Sequence, residues 1–250
     1  MTDFIPSSAS RRRVIAVLDQ HEIDDLSLKG DVQLLNDPQA HVLAYPLTDS
    51  NDPVLNNILD AGLDRPNTIL VQSPFDPEKY VDAAEAIDQF ALEKHTLLSN
   101  FCQLLGATKI SVTQMERVTN GKVQEFNAEA GKLIASGNVQ GERTQTDSVS
   151  SQINLIDEYP GGEANIEEAE LLLRSNRLLG DLNMKSLLQA RKASGNPLKR
   201  RTLTVNLTTE ASKNLKVAGN LNLPELNFSA EYKSSIKQDK EYKLTIEVLF

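Results

Sequence analysis

From Asp76 to Leu105 the chain reads DPEKYVDAAEAIDQFALEKHTLLSNFCQLL, and its apolar residues recur at steps of three and four. Tyr80, Ala83, Ala84, Ile87, Phe90, Ala91, Leu97, Leu98, Phe101, Leu104 and Leu105 form one broad stripe. Glu78, Asp82, Glu85, Asp88, Gln89 and Asn100 fall largely outside it. That period predicts an amphipathic helix whose greasy side must be sheltered by other layers. Asp76 suits the N-cap, Pro77 the first helical position and Gly106 the left-handed stop. About thirty residues would make a rod roughly 45 Å long, a length that invites a bend or break.

A second helical region spans about 166–194. Ala169, Leu172, Leu179, Leu182, Leu187, Leu188 and Ala190 face one side, Asn165 can cap the start, and Gly180-Asp181 can divide it in two. Elsewhere the period is two. Leu203, Val205 and Leu207 alternate with polar residues, as do Leu226, Phe228, Ala230 and Tyr232, and again Tyr242, Leu244, Ile246, Val248 and Phe250. Such alternation predicts antiparallel strands with one wet face, the last two runs forming a C-terminal hairpin. A short helix, TTEASKNLKVAG, follows the first of these runs.

Upstream, Val14 to Leu18, Asp31 to Leu35, His41 to Leu47 and Thr68 to Gln72 read as strands, and VLNNILDAG after Asp52-Pro53 as a short helix. A strand, the long helix and a strand from Thr108 to Val118 are compatible with a parallel crossover or an antiparallel placement. Asn120-Gly121 predicts a type I′ hairpin, with Val118 opposite Val123 and Met115 opposite Phe126. Gln152 to Ile156 reads as a further strand. The expected architecture is α+β: a mixed or antiparallel sheet covered by one long amphipathic helix (about 76–105) and the second helical region, closed by the C-terminal hairpin. The expectation is a single domain over 1–250, with a frayed terminus at 1–10 and a flexible hairpin or loop excursion at 127–150.

Composition narrows the functional classes. The chain has 250 residues, 40% of them hydrophobic, no Trp and a formal net charge of -9. That charge argues against a broad nucleic-acid footprint. Two local basic clusters stand out, Arg11–Arg13 and Lys199–Arg201, each read as a solvated flank before a strand. Cys102 is the only cysteine, so no intrachain disulfide forms and a reducing, cytoplasmic setting is expected. No stretch approaches the ~20 apolar residues of a spanning helix. The run VIAVL after Arg11–Arg13 is too short for a signal segment.

No metal-ligand spacing joins His21, His41, His95 and Cys102, and no Gly-rich phosphate loop occurs. Neither catalytic, cofactor-binding nor metal residues are therefore assigned, and no cofactor is expected. Asp88, His95 and Cys102 recur every seven residues on one helix, but roughly 10 Å of rise between neighbours prevents a direct relay. Lys94 lies inside the apolar stripe; its stem is expected to pack while its ammonium reaches water. A buried lysine can, in general, become reactive. Asp24-Asp25, Asp49 with Asp52, and Glu163 with Glu167 are read as solvated carboxylates.

The leading expectation is a non-enzymatic protein–protein interaction or assembly module, with a protein partner or self-association and no nucleic acid. A membrane-active effector inserting the 108–156 ribbon is one alternative, since lipid-facing and lumen-facing positions alternate in such hairpins. Only in that reading is a membrane a partner. A small hydrolase or transferase with an unrecognised site is the other.

Overall fold

Val14 to Leu18 is apolar and wholly buried, so both faces of this first strand are covered within a four-stranded sheet. The computed structural model describes all residues except 1–4, 30–32, 49–50, 130–131, 136–147, 194, 222–228 and 238. In chain order its strands are β1 (Val14–Asp19), β2 (Ala40–Tyr45), β3 (Thr68–Gln72), β4 (Tyr80–Asp82), β5 (Lys109–Thr119), β6 (Lys122–Glu129), β7 (Lys132–Ala135), β8 (Ile156–Glu158), β9 (Arg200–Asn206) and β10 (Lys240–Leu249). The helices are α1 (Gln20–Lys29), α2 (Gln33–Asn36), α3 (Pro53–Asp60), α4 (Ala86–Leu104), α5 (Ser148–Gln152), α6 (Ile166–Ser175), α7 (Leu182–Lys192), α8 (Ser212–Asn220) and α9 (Ala230–Ile236). The chain divides into two compact units, Met1–Ile87 with Glu210–Gln238, and Asp88–Thr209 with Asp239–Phe250. The expected α+β class holds.

The first unit carries a mixed sheet in the order β2-β1-β3-β4. β1 and β2 are parallel and joined through α1 and α2, while β3 and β4 are antiparallel additions. α3 seals one face: Val54, Leu55 and Ile58 pack with Ile15, Val17, Leu43, Leu70 and Tyr80. Asp52 caps α3, accepting from Val54 N and Leu55 N, with Pro53 in the first turn. The second unit carries a six-stranded antiparallel sheet, β7-β6-β5-β10-β9, with β8 also paired to β5. Tyr242, Leu244, Ile246 and Val248 of β10 are buried, as are Ile110, Val112 and Met115 of β5 and Leu203 and Val205 of β9. The alternate positions form the wet face, as the period-two pattern requires.

The Asn120-Gly121 turn forms as expected. Both residues have positive φ, 49° and 78°, and Val118 faces Val123 while Met115 faces Phe126. Asn165 caps α6 and Asp181 caps α7, so the second helical region does divide at Gly180-Asp181. Gly106, at φ 82°, ends α4; an added Cβ there would lie 2.3 Å from the Gly162 carbonyl oxygen.

Five expectations are corrected. The long helix starts at Ala86, not Asp76. Asp76 Oδ1 accepts from Glu78 N in a turn, and Ser73 Oγ from Phe75 N, so residues 73–79 fold back and set β4 against β3. Consequently β3 and β5, which flank this region, belong to different sheets and form no crossover pair. Residues 230–232 begin α9 instead of a strand; the Ser229 side chain caps it by accepting from Tyr232 N, and 226–228 lie outside the described residues. β10 nevertheless has antiparallel neighbours, β9 and β5, so the C-terminal antiparallel layer is present. Gln152 to Ile156 is not one strand: α5 ends at Gln152 and β8 begins at Ile156, because Val149 and Ile153 are buried at helical spacing. Within 31–35 the described residues enter α2 rather than a strand, with Leu34 buried. Of the 127–150 stretch, the described parts are the end of β6, all of β7 and the start of α5.

Replacing Gly121 by Ala forces a Cβ into left-handed backbone with open space around it. The expected loss is about 1–2 kcal/mol from backbone strain alone, read as a lower urea midpoint, and Gly121→Asn should lose less.

Candidate functional site

The most deeply buried ionic contact in the second unit begins at Lys94. Its side chain is 2% exposed, against the expectation that the ammonium would reach water. The helix is the reason. Phe90, Ala91, Leu98, Phe101, Cys102 and Leu105 are all buried, and α4 is covered over so wide an arc that position 94 has no path to solvent. Lys94 Nζ lies 2.8 Å from Asp181 Oδ2 and donates to Asn206 O at 2.8 Å. Asp181 Oδ1 meanwhile accepts from Asn183 N and Met184 N at the start of α7. One ion pair thus ties α4, α7 and the end of β9 together. A buried charge of this kind is tolerated only when it is paired and hydrogen-bonded, as both partners are.

One turn along α4 lies a second polar cluster. Ser99 Oγ donates to Asp157 Oδ2 at 2.5 Å and lies 2.6 Å from the Tyr159 hydroxyl, either of which could donate. With the Ser99 proton directed at Asp157, Tyr159 is the donor to Ser99, so the chain runs Tyr159 to Ser99 to Asp157. Burial raises the Tyr159 pKa, and the Asp157 charge raises it further. His95 is buried, and burial lowers its pKa below the ordinary 6.5, with Asp157 pulling the other way. The cluster fastens β8 to α4. Ser99 is thus held from both sides, its oxygen accepting from the tyrosine while its hydroxyl donates to the carboxylate.

The remaining residues singled out from sequence do not converge. Asp88 accepts from the Tyr242 hydroxyl at 2.9 Å and pairs with Lys240 at 3.4 Å. Cys102 is fully buried, and burial pushes its thiol up to about 12. Asp88, His95 and Cys102 therefore occupy separate environments. Asp24, Asp25, Glu163 and Glu167 are exposed, Asp52 caps α3, and Asp49 lies outside the described residues. His21 is exposed beside Asp25 at 3.3 Å, while His41 is partly buried with a lowered pKa. Among the described residues no group of three or more His, Cys, Asp or Glu side chains could hold a metal, and no helix is long and apolar enough to cross a membrane.

The two ends of the six-stranded sheet differ. At β9 two outward carbonyls are occupied: Lys94 donates to Asn206 O and Asn183 Nδ2 to Thr204 O, while Arg201 reaches Ser186 on α7. Helix side chains cover that part of the edge. At the opposite end β7 pairs with β6, and no further strand pairs with it among the described residues, although α5 approaches it. Lys132, Ile134 and Ala135 are exposed there, and Val123 and Ile156 are exposed on the wet face that carries Lys132 and Ile134. Sequence alternation located this ribbon but gave no indication of which edge would be closed, because closure depends on Lys94 and Asn183, remote in sequence from β9.

Truncating Lys94 to Ala leaves Asp181 buried without its partner, and a loss of about 3–5 kcal/mol is expected in urea denaturation at neutral pH. Adding Asp181→Asn should recover part of it, since Asn still caps α7 and no unpaired charge remains. Acid provides a separate check. A histidine whose folded pKa lies below its unfolded 6.5 contributes stability that is present above that value. The contribution is lost as pH falls from 6.5 through the folded pKa, because only the unfolded chain takes up the proton. His95→Gln should therefore flatten the fall in stability below pH 6.5. No family model, curated protein or solved structure matches this chain.

Proposed function

We propose that the protein is a non-enzymatic interaction or assembly module whose six-stranded sheet is extended at β7 by a strand from a second copy. The observation that carries this reading is the asymmetry of the sheet, partly covered by helix side chains at β9 and ending in a strand with exposed Ile134 at β7. Unpaired strand edges offer backbone donors and acceptors to another chain, with side chains setting register.

Symmetry restricts that register. In a continuous antiparallel sheet, residues directly opposite each other share a face. Lys132 and Ile134 share one face and Leu133 and Ala135 the other. A two-fold axis at Ile134 places Ile134 opposite its own copy and Leu133 opposite Ala135. It also keeps Lys132 from facing Lys132, a like-charge pair that would be unfavourable. The contact is isologous, so it closes as a dimer instead of propagating into a fibre.

Sedimentation equilibrium of the purified chain at micromolar concentration tests the reading. A dimer mass is expected, reverting to monomer in Ile134→Lys, a change on an exposed position that leaves the core intact. A wild-type chain that stays monomeric throughout, or a dimer indifferent to Ile134→Lys, overturns it.

A further inference from the structure

Asn120 is the only asparagine in the chain that glycine follows. The pair forms the turn at the tip of the β5–β6 hairpin, and assembly at β7 makes no use of its chemistry. An asparagine side chain carries an amide carbon that the next residue's backbone nitrogen can attack, closing a cyclic imide. A side chain on that next residue crowds the approach, and glycine has none. Asn120 and Gly121 are both exposed, and a Cβ added at Gly121 would meet nothing within 4 Å. Among the described residues the Gly121 amide has no backbone acceptor.

The electrophile is held by the neighbouring strand. Asn120 N donates to Asp239 O at 2.8 Å, and Asp239 N donates to Asn120 Oδ1 at 3.1 Å. Asp239 directly precedes β10, so two hydrogen bonds tie the turn residue to the start of that strand. The second bond also bears on reactivity. It polarises the side-chain carbonyl, and it meets the oxygen on which negative charge collects when a nitrogen adds to the amide carbon. Left-handed backbone at Asn120 points the Gly121 nitrogen away from the side chain, so the peptide unit between the two residues must rotate first. That rotation leaves Asn120 N and its side chain on Asp239, and the open space at Gly121 puts no contact in its way.

We propose that Asn120 is a self-modifying site, converted in the folded chain to isoaspartate, and that this conversion loosens β6 from β5 beside the turn. The steps balance with solvent water alone. Gly121 N bonds to Asn120 Cγ, the Cγ–Nδ2 bond breaks, and Nδ2 leaves as ammonia with the proton from Gly121 N. Water then opens the imide. Breaking the bond from Asn120 C to Gly121 N gives isoaspartate, and breaking the new bond from Cγ gives aspartate. Isoaspartate carries the backbone through Cβ and Cγ and so adds one atom to the main chain. A two-residue turn matches the twist of its flanking strands only at its ordinary length, so the pairing of Val118 with Val123 is disturbed first.

Peptide mapping by mass spectrometry, after the full chain is incubated in mildly alkaline buffer without denaturant, tests the site. The mass increment of amide-to-acid conversion is expected at Asn120, at a rate about tenfold or more above that of any other asparagine, as a barrier lower by about 1.4 kcal/mol produces. Chromatography of the mapped peptide separates isoaspartate from aspartate. Amide exchange at Val123 should be about tenfold faster in the converted chain, because the local ladder opens more often. Asn120→Gly leaves a Gly-Gly turn pair that tolerates positive φ, so it should keep the native circular dichroism spectrum and yield no product at this position. Gly121→Ala sets a Cβ beside the attacking nitrogen and should slow conversion. An Asn120 that converts no faster than the other asparagines, equal rates in wild type and Gly121→Ala, or exchange at Val123 that conversion leaves unchanged overturns the proposal.

Discussion

The second unit depends on one demand: a lysine with no route to water must find a carboxylate. Lys94 sits on a helix buried over most of its circumference, and Asp181 meets it at 2.8 Å. The pair is more than a compensation for desolvation. Asp181 has two oxygens with separate duties, one on Lys94 and one on the first amides of α7. Shifting α7 along its axis would break either the pair or the cap, so the two fix its position against α4 together. The third contact, Lys94 to Asn206 O, carries the constraint to the edge of the sheet. Hydrophobic burial supplies most of the driving force, roughly 1.5–3 kcal/mol for each large side chain such as Phe90 or Phe101. It is nondirectional, however, and several sliding arrangements would bury the same area. The ion pair selects among them.

The same logic explains why the six-stranded sheet is asymmetric. Where β9 lies next to α7 and α4, helix side chains take the carbonyls of Thr204 and Asn206, and that part of the strand edge is covered from within the unit. The Tyr159–Ser99–Asp157 chain does a similar job for β8, which is only three residues long and has a short ladder to β5. At β7 no comparable side chain reaches across among the described residues. An edge left to exposed Ile134 and Lys132 is governed by whatever strand meets it, and this difference motivates the assembly reading.

Much of the fold was legible because it rests on local rules. Asp52-Pro53, Asn165 and Asp181 are caps that act within one helical turn, and Asn120-Gly121 fixes a turn within four residues; each forms where its sequence places it. The alternation of Tyr242, Leu244, Ile246 and Val248 likewise reports a single buried face. Failures occur where distant contacts override a local pattern. Residues 76–85 have a helical period, yet Tyr80 is drawn into β4 because its hydroxyl reaches Arg12, 68 residues earlier. Tyr232 alternates as a strand residue should, but its hydroxyl accepts from Ile69 N, 163 residues away, and lies 3.0 Å from Asp82 Oδ1. The candidate sites were less legible than the fold, since Lys94, Ser99 and Arg12 each look unremarkable until a remote partner is known.

Arg12 and Lys94 show how burial alone does not make a polar group functional. Both are basic, both are almost fully enclosed, and neither could be assigned a role from its neighbours in the chain. Around Lys94 the requirement is met internally: one carboxylate and one carbonyl answer the ammonium, and α7 is positioned as a result. Around Arg12 two acceptors answer one end of the guanidinium, while Nε and three nearby polar atoms have none. Leaving such groups unanswered costs about 1–3 kcal/mol each, and their cost grows when several are gathered at one place. Random placement would scatter them. Their concentration where β1 and β2 begin is a local cost of the fold, whereas the Lys94 environment is completed from within.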